Sequence, residues 1–207
     1  MNILHDFIPK QKRGSKTNAT ATAKSNTDSR HSAFVLFSQA KNRLLDINNW
    51  YKLCGKSGAE FYLTDNLGNP THSLIPKVGN LIRIKLPAPR NKTCDGYDWV
   101  EIEKFIKSKD VYNDVEAYGF RVRPTECPID KSHQVAHFYN IKATSSFMIY
   151  RKSETVYVME RGRNERPNIS GSVLNKLRSI LISLPGMIGF SNPQWKKLVN
   201  GILYNKS

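Results

Sequence analysis

The apolar positions of this chain change their period twice. Between Ala33 and Tyr51 they recur at steps of four and three, through Phe37, Ala40, Leu44 and Ile47, and Leu36 and Trp50 widen the stripe. That spacing predicts a helix with one buried face. Asp28 or Ser29 supplies its N-cap, Asn48-Asn49 weakens its end, and Gly55 with Gly58 stops what remains. From residue 59 onward the period shortens to two, as in strands whose side chains alternate faces. Residues 59–64, 81–86, 99–105, 116–123 and 135–141 are the first strand candidates. In 81–86, Ile82, Ile84 and Leu86 share one face, and Leu81, Arg83 and Lys85 the other. In 99–105, Val100 and Ile102 oppose Glu101 and Glu103. Antiparallel pairing of these two strands brings Arg83 and Lys85 to Glu101 and Glu103 on a wet face. In 116–123, Tyr118, Phe120 and Val122 oppose Arg121 and Arg123.

Residues 143–164 read as a hairpin joined at Arg151-Lys152-Ser153-Glu154. With Arg151 opposite Glu154, one face carries Tyr150/Thr155, Met148/Tyr157, Ser146/Met159 and Thr144/Arg161. The other carries Ile149/Val156, Phe147/Val158 and Ser145/Glu160. No Asn-Gly or Asp-Gly marks the turn, so the register is open to slippage. Helical spacing then returns in Val173, Leu174, Leu177, Ile180, Leu181 and Leu184, capped by Ser170 or Ser172 and broken by Pro185-Gly186. Leu177 and Leu181 are expected to lie buried against the sheet. Asn192-Pro193 reads as N-cap and first helical residue, and Trp195, Leu198, Val199, Ile202 and Leu203 repeat the stripe. Together these elements predict an α+β domain: an N-terminal helix, a curved antiparallel sheet of about six or seven strands, and C-terminal helices on its concave face.

At 207 residues the chain suits one domain plus extras, and 39% hydrophobic content is enough for a core. Residues 1–28 read as a flexible basic tail and 29–207 as the single domain. The stretch 14–28 is short polar residues with Lys, too poor in apolar groups to fold alone. Ile3, Leu4, Phe7 and Ile8 ahead of it can dock on the body. No apolar run approaches the roughly 20 residues of a membrane span, and the N-terminus lacks a leader pattern. Three widely spaced cysteines without a C-x-x-C suit free or buried thiols in a reducing cytoplasm. The cytoplasm is therefore the expected location. The net charge of +15 raises a nucleic-acid or anionic partner as an alternative. Because the excess is spread along the chain, a solvated basic surface is the favoured reading.

Three phrases, LLDINNWYKLCG, VGNLIRIKLP and YDWVEIEKF, follow one another as a helix ending near a Trp and then strands, with a helix at the C-terminus. In this order of elements the chain resembles the START-related, Bet v 1-like helix-grip superfamily over about residues 30–205. The resemblance implies a curved sheet gripping a C-terminal helix, with a ligand cavity in the gap. It also implies enzymes of the cyclase or hydratase kind as an alternative. The family's C-terminal helix is one long element, whereas Pro185-Gly186 splits it here. The family has no universal catalytic motif, so no functional residue carries over.

No G-x-S-x-G, P-loop or G-x-G-x-x-G is present, and no cofactor is expected. His133 and His137, four apart on a strand, would stand about 13 Å apart, so no metal site is expected. Cys54 continues the apolar side of the first helix and reads as a buried thiol. The ligand-binding candidates are Met148, Tyr157, Met159 and Arg161 on one hairpin face, joined by Arg163, Arg121 and Tyr118. A binding wall needs apolar area and a few fixed polar groups, and Arg forks suit carboxylate or phosphate. The competing reading of these arginines is a salt-bridge lattice with Glu126, Glu160 and Glu165. The face of Phe147, Ile149, Val156 and Val158 is expected to pack dry. The resulting expectation is a module that binds a small hydrophobic or amphipathic ligand between sheet and helix.

Overall fold

Seven strands form one antiparallel sheet in the computed structural model, which describes residues 7–12, 20–54, 58–71, 75–86, 90–91, 93–129, 133–169, 176, 179–180 and 192–205. They are β1 (Thr20–Asn26), β2 (Glu60–Thr64), β3 (Leu81–Lys85), β4 (Asp98–Asp110), β5 (Val115–Pro124), β6 (Thr144–Lys152) and β7 (Thr155–Arg163). The spatial order is β1-β7-β6-β5-β4-β3-β2, so β2 to β7 meander and β1 closes beside the last strand. A register shift between Ile102 and Lys104 in β4 adds local twist to the longest pair.

Helices α1 (Arg30–Leu45), α2 (Trp50–Cys54) and α3 (Asn192–Tyr204) cover the concave face among the described residues. Ser29 caps α1, its hydroxyl accepting from the Ser32 N–H at 3.1 Å. The predicted stripe of Ala33, Phe37, Ala40 and Leu44 is the buried side of α1. Helix α3 packs across β1 and β7 and against α1 and α2. Its Leu198, Val199, Ile202 and Leu203 are fully buried. Gly201 permits that approach, because a Cβ there would stand 2.7 Å from Leu53 Cβ. The Arg43 guanidinium donates to the carbonyls of Ile202 and Leu203, satisfying the open end of α3. The α+β helix-grip arrangement is therefore the fold of this chain.

Several local expectations change. The predicted tail contains β1, which pairs along its whole length with β7 and buries Ala21 and Ala23 beneath the helices. Alanine gives little strand signal, so pairing and cover decide this segment and propensity does not. Phe7 is also buried, packed on Met148 and Met159 at the convex face. Residues 135–141 are an irregular crossing with isolated bridges Glu126–Val135 and Tyr139–Pro167. The Asn168 amide holds that crossing by donating to Val135 O at 2.9 Å and His137 O at 3.0 Å. The hairpin register differs by two residues, with Lys152 opposite Thr155 around a Ser153-Glu154 turn. An even shift leaves every side chain on its predicted face. Arg83 faces Trp99 and stacks on Tyr62 and Tyr97, while Lys85 pairs with Glu60 at 2.9 Å. The predicted helix over 173–184, with Leu177 and Leu181, lies outside the described residues apart from Lys176, Ser179 and Ile180.

The cysteines also differ from expectation. Cys94 and Cys127 form a disulfide with Cα atoms 5.8 Å apart. It ties the β3–β4 connection to the β5–β6 connection beside Leu81, Trp99 and Ala136. The thiol argument for a reducing compartment therefore loses its basis. Cys54 is the free, buried thiol, and burial pushes its pKa up to about 11. Among the described residues no helix is long and apolar enough to cross a membrane.

Candidate functional site

The concave face and α3 do not close completely on each other. A cavity of about 40 Å³ remains, with Trp50, Phe61, Phe147 and Trp195 as its ring walls. Ile82, Ile84, Val100 and Val122 form an aliphatic floor. Each ring is placed by a different element. Trp50 stands at the α1–α2 junction, fixed by its indole N–H donating to the carbonyls of Arg43 and Leu44 at 3.2 Å. Phe61 comes from β2, Phe147 from β6, and Trp195 from the first turn of α3. The ring centroids lie 5.0 Å apart for Trp50–Phe147, 5.4 Å for Phe147–Trp195 and 6.3 Å for Phe61–Trp195. The aromatic side chains thus fill most of the gap. The remaining space suits about one water, far below the roughly 300–1,000 Å³ of drug-sized pockets.

One end of the cavity is polar. His137, Tyr139, Ser145 and Glu165 line it. His137 and Tyr139 arrive on the irregular crossing, where His137 Nδ1 accepts the Tyr139 backbone N–H at 2.9 Å. Burial, and then the charges of Glu165 and Glu160, push the Tyr139 hydroxyl pKa upward. Glu160 lies on the same concave side, opposite Phe147 across the β6–β7 pair, and is fully buried. Neither carboxylate oxygen has a hydrogen-bond partner of ordinary geometry among the described residues. Burial, then the charge of Glu165, hold its carboxyl well above the usual carboxylate range. Arg161, Arg163 and the Ser145 hydroxyl pull weakly the other way.

The face assignment is inverted relative to the sequence expectation. Phe147, Ile149, Val156 and Val158 face the helices, and Phe147 is the one that reaches the cavity. Met148, Tyr157, Met159, Arg161, Arg163 and Arg121 lie on the convex side. Both hairpin faces are apolar enough to be buried, and the choice belongs to the elements that cover them. The bulk of α1 and α3 covers one face, and the short segment around Phe7 covers the other. Tyr118 is separated from the other candidates. It sits on the concave side at the core edge, with Lys41 Nζ 4.5 Å from its ring centroid.

The convex arginines make internal contacts. Glu103 receives both Arg121 and Arg123, the latter at 2.7 Å. Arg161 donates to Ala21 O and Thr22 Oγ1 at 2.9 Å each, and Arg163 to Gly162 O at 2.7 Å. The lattice thus forms around Glu103, while Glu126 bonds His133 at 3.0 Å and Glu160 lies inside. Glu160 was legible as an anomaly, since it shares strand parity with Val156 and Val158. Glu165, His137 and Tyr139 carried no such signal. A second concavity of about 700 Å³ lies beside the disulfide, lined in part by Asn66, Glu101, Glu126 and His133. It is an open, half-polar surface.

No protein-family model matches this chain, and no curated protein matches it. Solved structures resemble it loosely. Major latex-like protein 151 from Panax ginseng is 11% identical, with a TM-score of 0.28, over 81% of this chain and 93% of that one. A truncated norcoclaurine synthase from Thalictrum flavum is 6% identical, with a TM-score of 0.34, over 94% and 99%. The same plant's norcoclaurine synthase in complex with dopamine and hydroxybenzaldehyde is 9% identical, with a TM-score of 0.30, over 75% and 76%. The helix-grip arrangement rests on the strand order and the buried α3, not on these likenesses.

Proposed function

We propose that this protein binds a small amphipathic ligand between the concave face of its sheet and α3. The observation that supports the reading is the asymmetry of the gap: ring and aliphatic walls at one end, and Glu165, Tyr139, His137 and Ser145 at the other. Such a site orients a ligand by its head while burying its body. At about 40 Å³ the gap admits a ligand only if a ring gives way. Trp195 is the ring at the start of its helix, and it is the wall whose removal opens the gap without breaking the sheet. A neutral fluorescent probe, N-phenyl-1-naphthylamine, tests this. It should brighten with the intact protein, brighten more with Trp195→Ala, and be displaced by small amphiphiles. No brightening with either folded protein would refute the reading. The alternative of a nucleic-acid partner draws on net charge, but Arg121, Arg123, Arg161 and Arg163 are already engaged internally.

A further inference from the structure

We propose that the polar head of the ligand is an organic cation, a primary ammonium group seated between Glu165 and the buried Glu160. The inference rests on the ligand reading above and names the head group of that ligand. One ground is charge sign. The chain holds 32 Lys and Arg against 17 Asp and Glu, yet Glu165 is the charged side chain among the described residues that line the cavity. A cavity lining that holds a carboxylate and no Lys or Arg among the described residues favours a positive guest.

Glu160 is the independent ground. It has no exposed surface, lies on the cavity side of β7, and apart from the Ser145 hydroxyl its oxygens find no hydrogen-bond donor of ordinary geometry among the described residues. A buried carboxyl so short of donors is unfavourable, and an N–H donor brought to it relieves that penalty. An ammonium group offers three such donors and a charge of the right sign. The walls agree, because the ring faces of Trp50, Phe147 and Trp195 attract a cation.

The other charged and polar groups facing this end fit the same guest. Arg161 and Arg163 come from the same strand but point to the opposite side, where Ala21, Thr22 and Gly162 hold them. They temper the negative field without occupying the site. Ser145, Tyr139 and His137 Nε2 complete the polar end, His137 Nδ1 being already taken by the Tyr139 N–H. Burial and the charge of Glu165 raise the Glu160 carboxyl pKa, so a cation brought to this end relieves the same unfavourable charge.

The test titrates the full chain at pH 7.5 and low salt with n-butylammonium, n-butanol and butyrate. Calorimetry and the fluorescence of the cavity tryptophans report binding. Butylammonium should bind at least tenfold tighter than butanol. Glu160→Gln and Glu165→Gln should each erase that preference, with circular dichroism confirming that both variants fold. Butanol binding as tightly as butylammonium would overturn the inference and leave the ligand reading standing. Tightest binding by butyrate would overturn it in favour of Glu160 as a neutral donor. If none of the three binds while the naphthylamine probe does, the head-group inference fails alone. If that probe also fails, both readings fall.

Discussion

Removing Phe7 should destabilise the whole domain, although its segment reads from sequence as part of a flexible tail. Phe7 is 2% exposed and packs on Met148 and Met159, themselves 0% and 8% exposed. The segment is also pinned by hydrogen bonds. Arg121 Nη1 donates to Phe7 O at 2.8 Å, the Lys12 N–H to Asn164 Oδ1 at 2.8 Å, and the Asn164 N–H to Gln11 Oε1 at 3.0 Å. A buried Phe→Ala change typically costs about 3–5 kcal/mol. Ile8, Ile106, Tyr150 and Tyr157 around this cluster are only partly buried, so the void can relax and Phe7→Ala should fall at or just below that range, about 2–3 kcal/mol. For a chain of this size each kcal/mol moves Tm by about 2–4 °C, which gives a fall of roughly 4–12 °C. Deleting residues 1–12 should cost more, because it also exposes Met148 and removes the Asn164 contacts. Urea melts followed by circular dichroism measure both changes. A loss below about 1 kcal/mol for Phe7→Ala, or a deletion variant with unchanged Tm, would refute the docked arrangement.

Glu160→Gln should stabilise the protein at neutral pH. The folded pKa of Glu160 is raised, so its contribution is full below the unfolded carboxyl pKa and is lost as pH rises towards the folded value. The advantage of Gln should therefore grow about tenfold in the folding equilibrium per pH unit above roughly pH 4.3. Melts between pH 4 and 8 that show a constant difference would contradict this. Gly119→Ala should be strongly destabilising, because its Cβ would press on the Phe147 carbonyl and stand 2.9 Å from Met148 Cα. A Tm within 2 °C of the parent would show that the β5–β6 pair can yield there. Reducing the Cys94–Cys127 bond should cost about 2–4 kcal/mol, since it closes a loop across 33 residues. Equal denaturation midpoints with and without reductant would count against it. Any DNA or RNA binding should be weak and lost by about 200 mM salt. Sub-micromolar affinity surviving that salt would make the basic charge functional.

The sequence alone determined the features whose signals are local. Ser29 as a cap and the Ala33-to-Leu44 stripe follow from backbone hydrogen bonding and a 3.6-residue repeat, and both stand in the structure. Alternation placed Ile82, Ile84, Val100, Phe120 and Val122 on a common apolar face, and the core contains all five. Strand parity even survived the two-residue error in hairpin register. Tertiary structure decided everything that depends on a distant segment. β1 exists because β7 offers it hydrogen bonds and α3 covers its alanines, neither of which is encoded in Thr20–Asn26 itself. Cys94 and Cys127 meet only because β4 and β5 pair and bring their ends together. The cavity face follows the same rule. Alternation sorts side chains into two sets, but it cannot say which set a helix 30 or more residues away will cover. Glu160 became a buried carboxyl, and Arg161 a convex surface group, when α1 and α3 chose the side of Phe147.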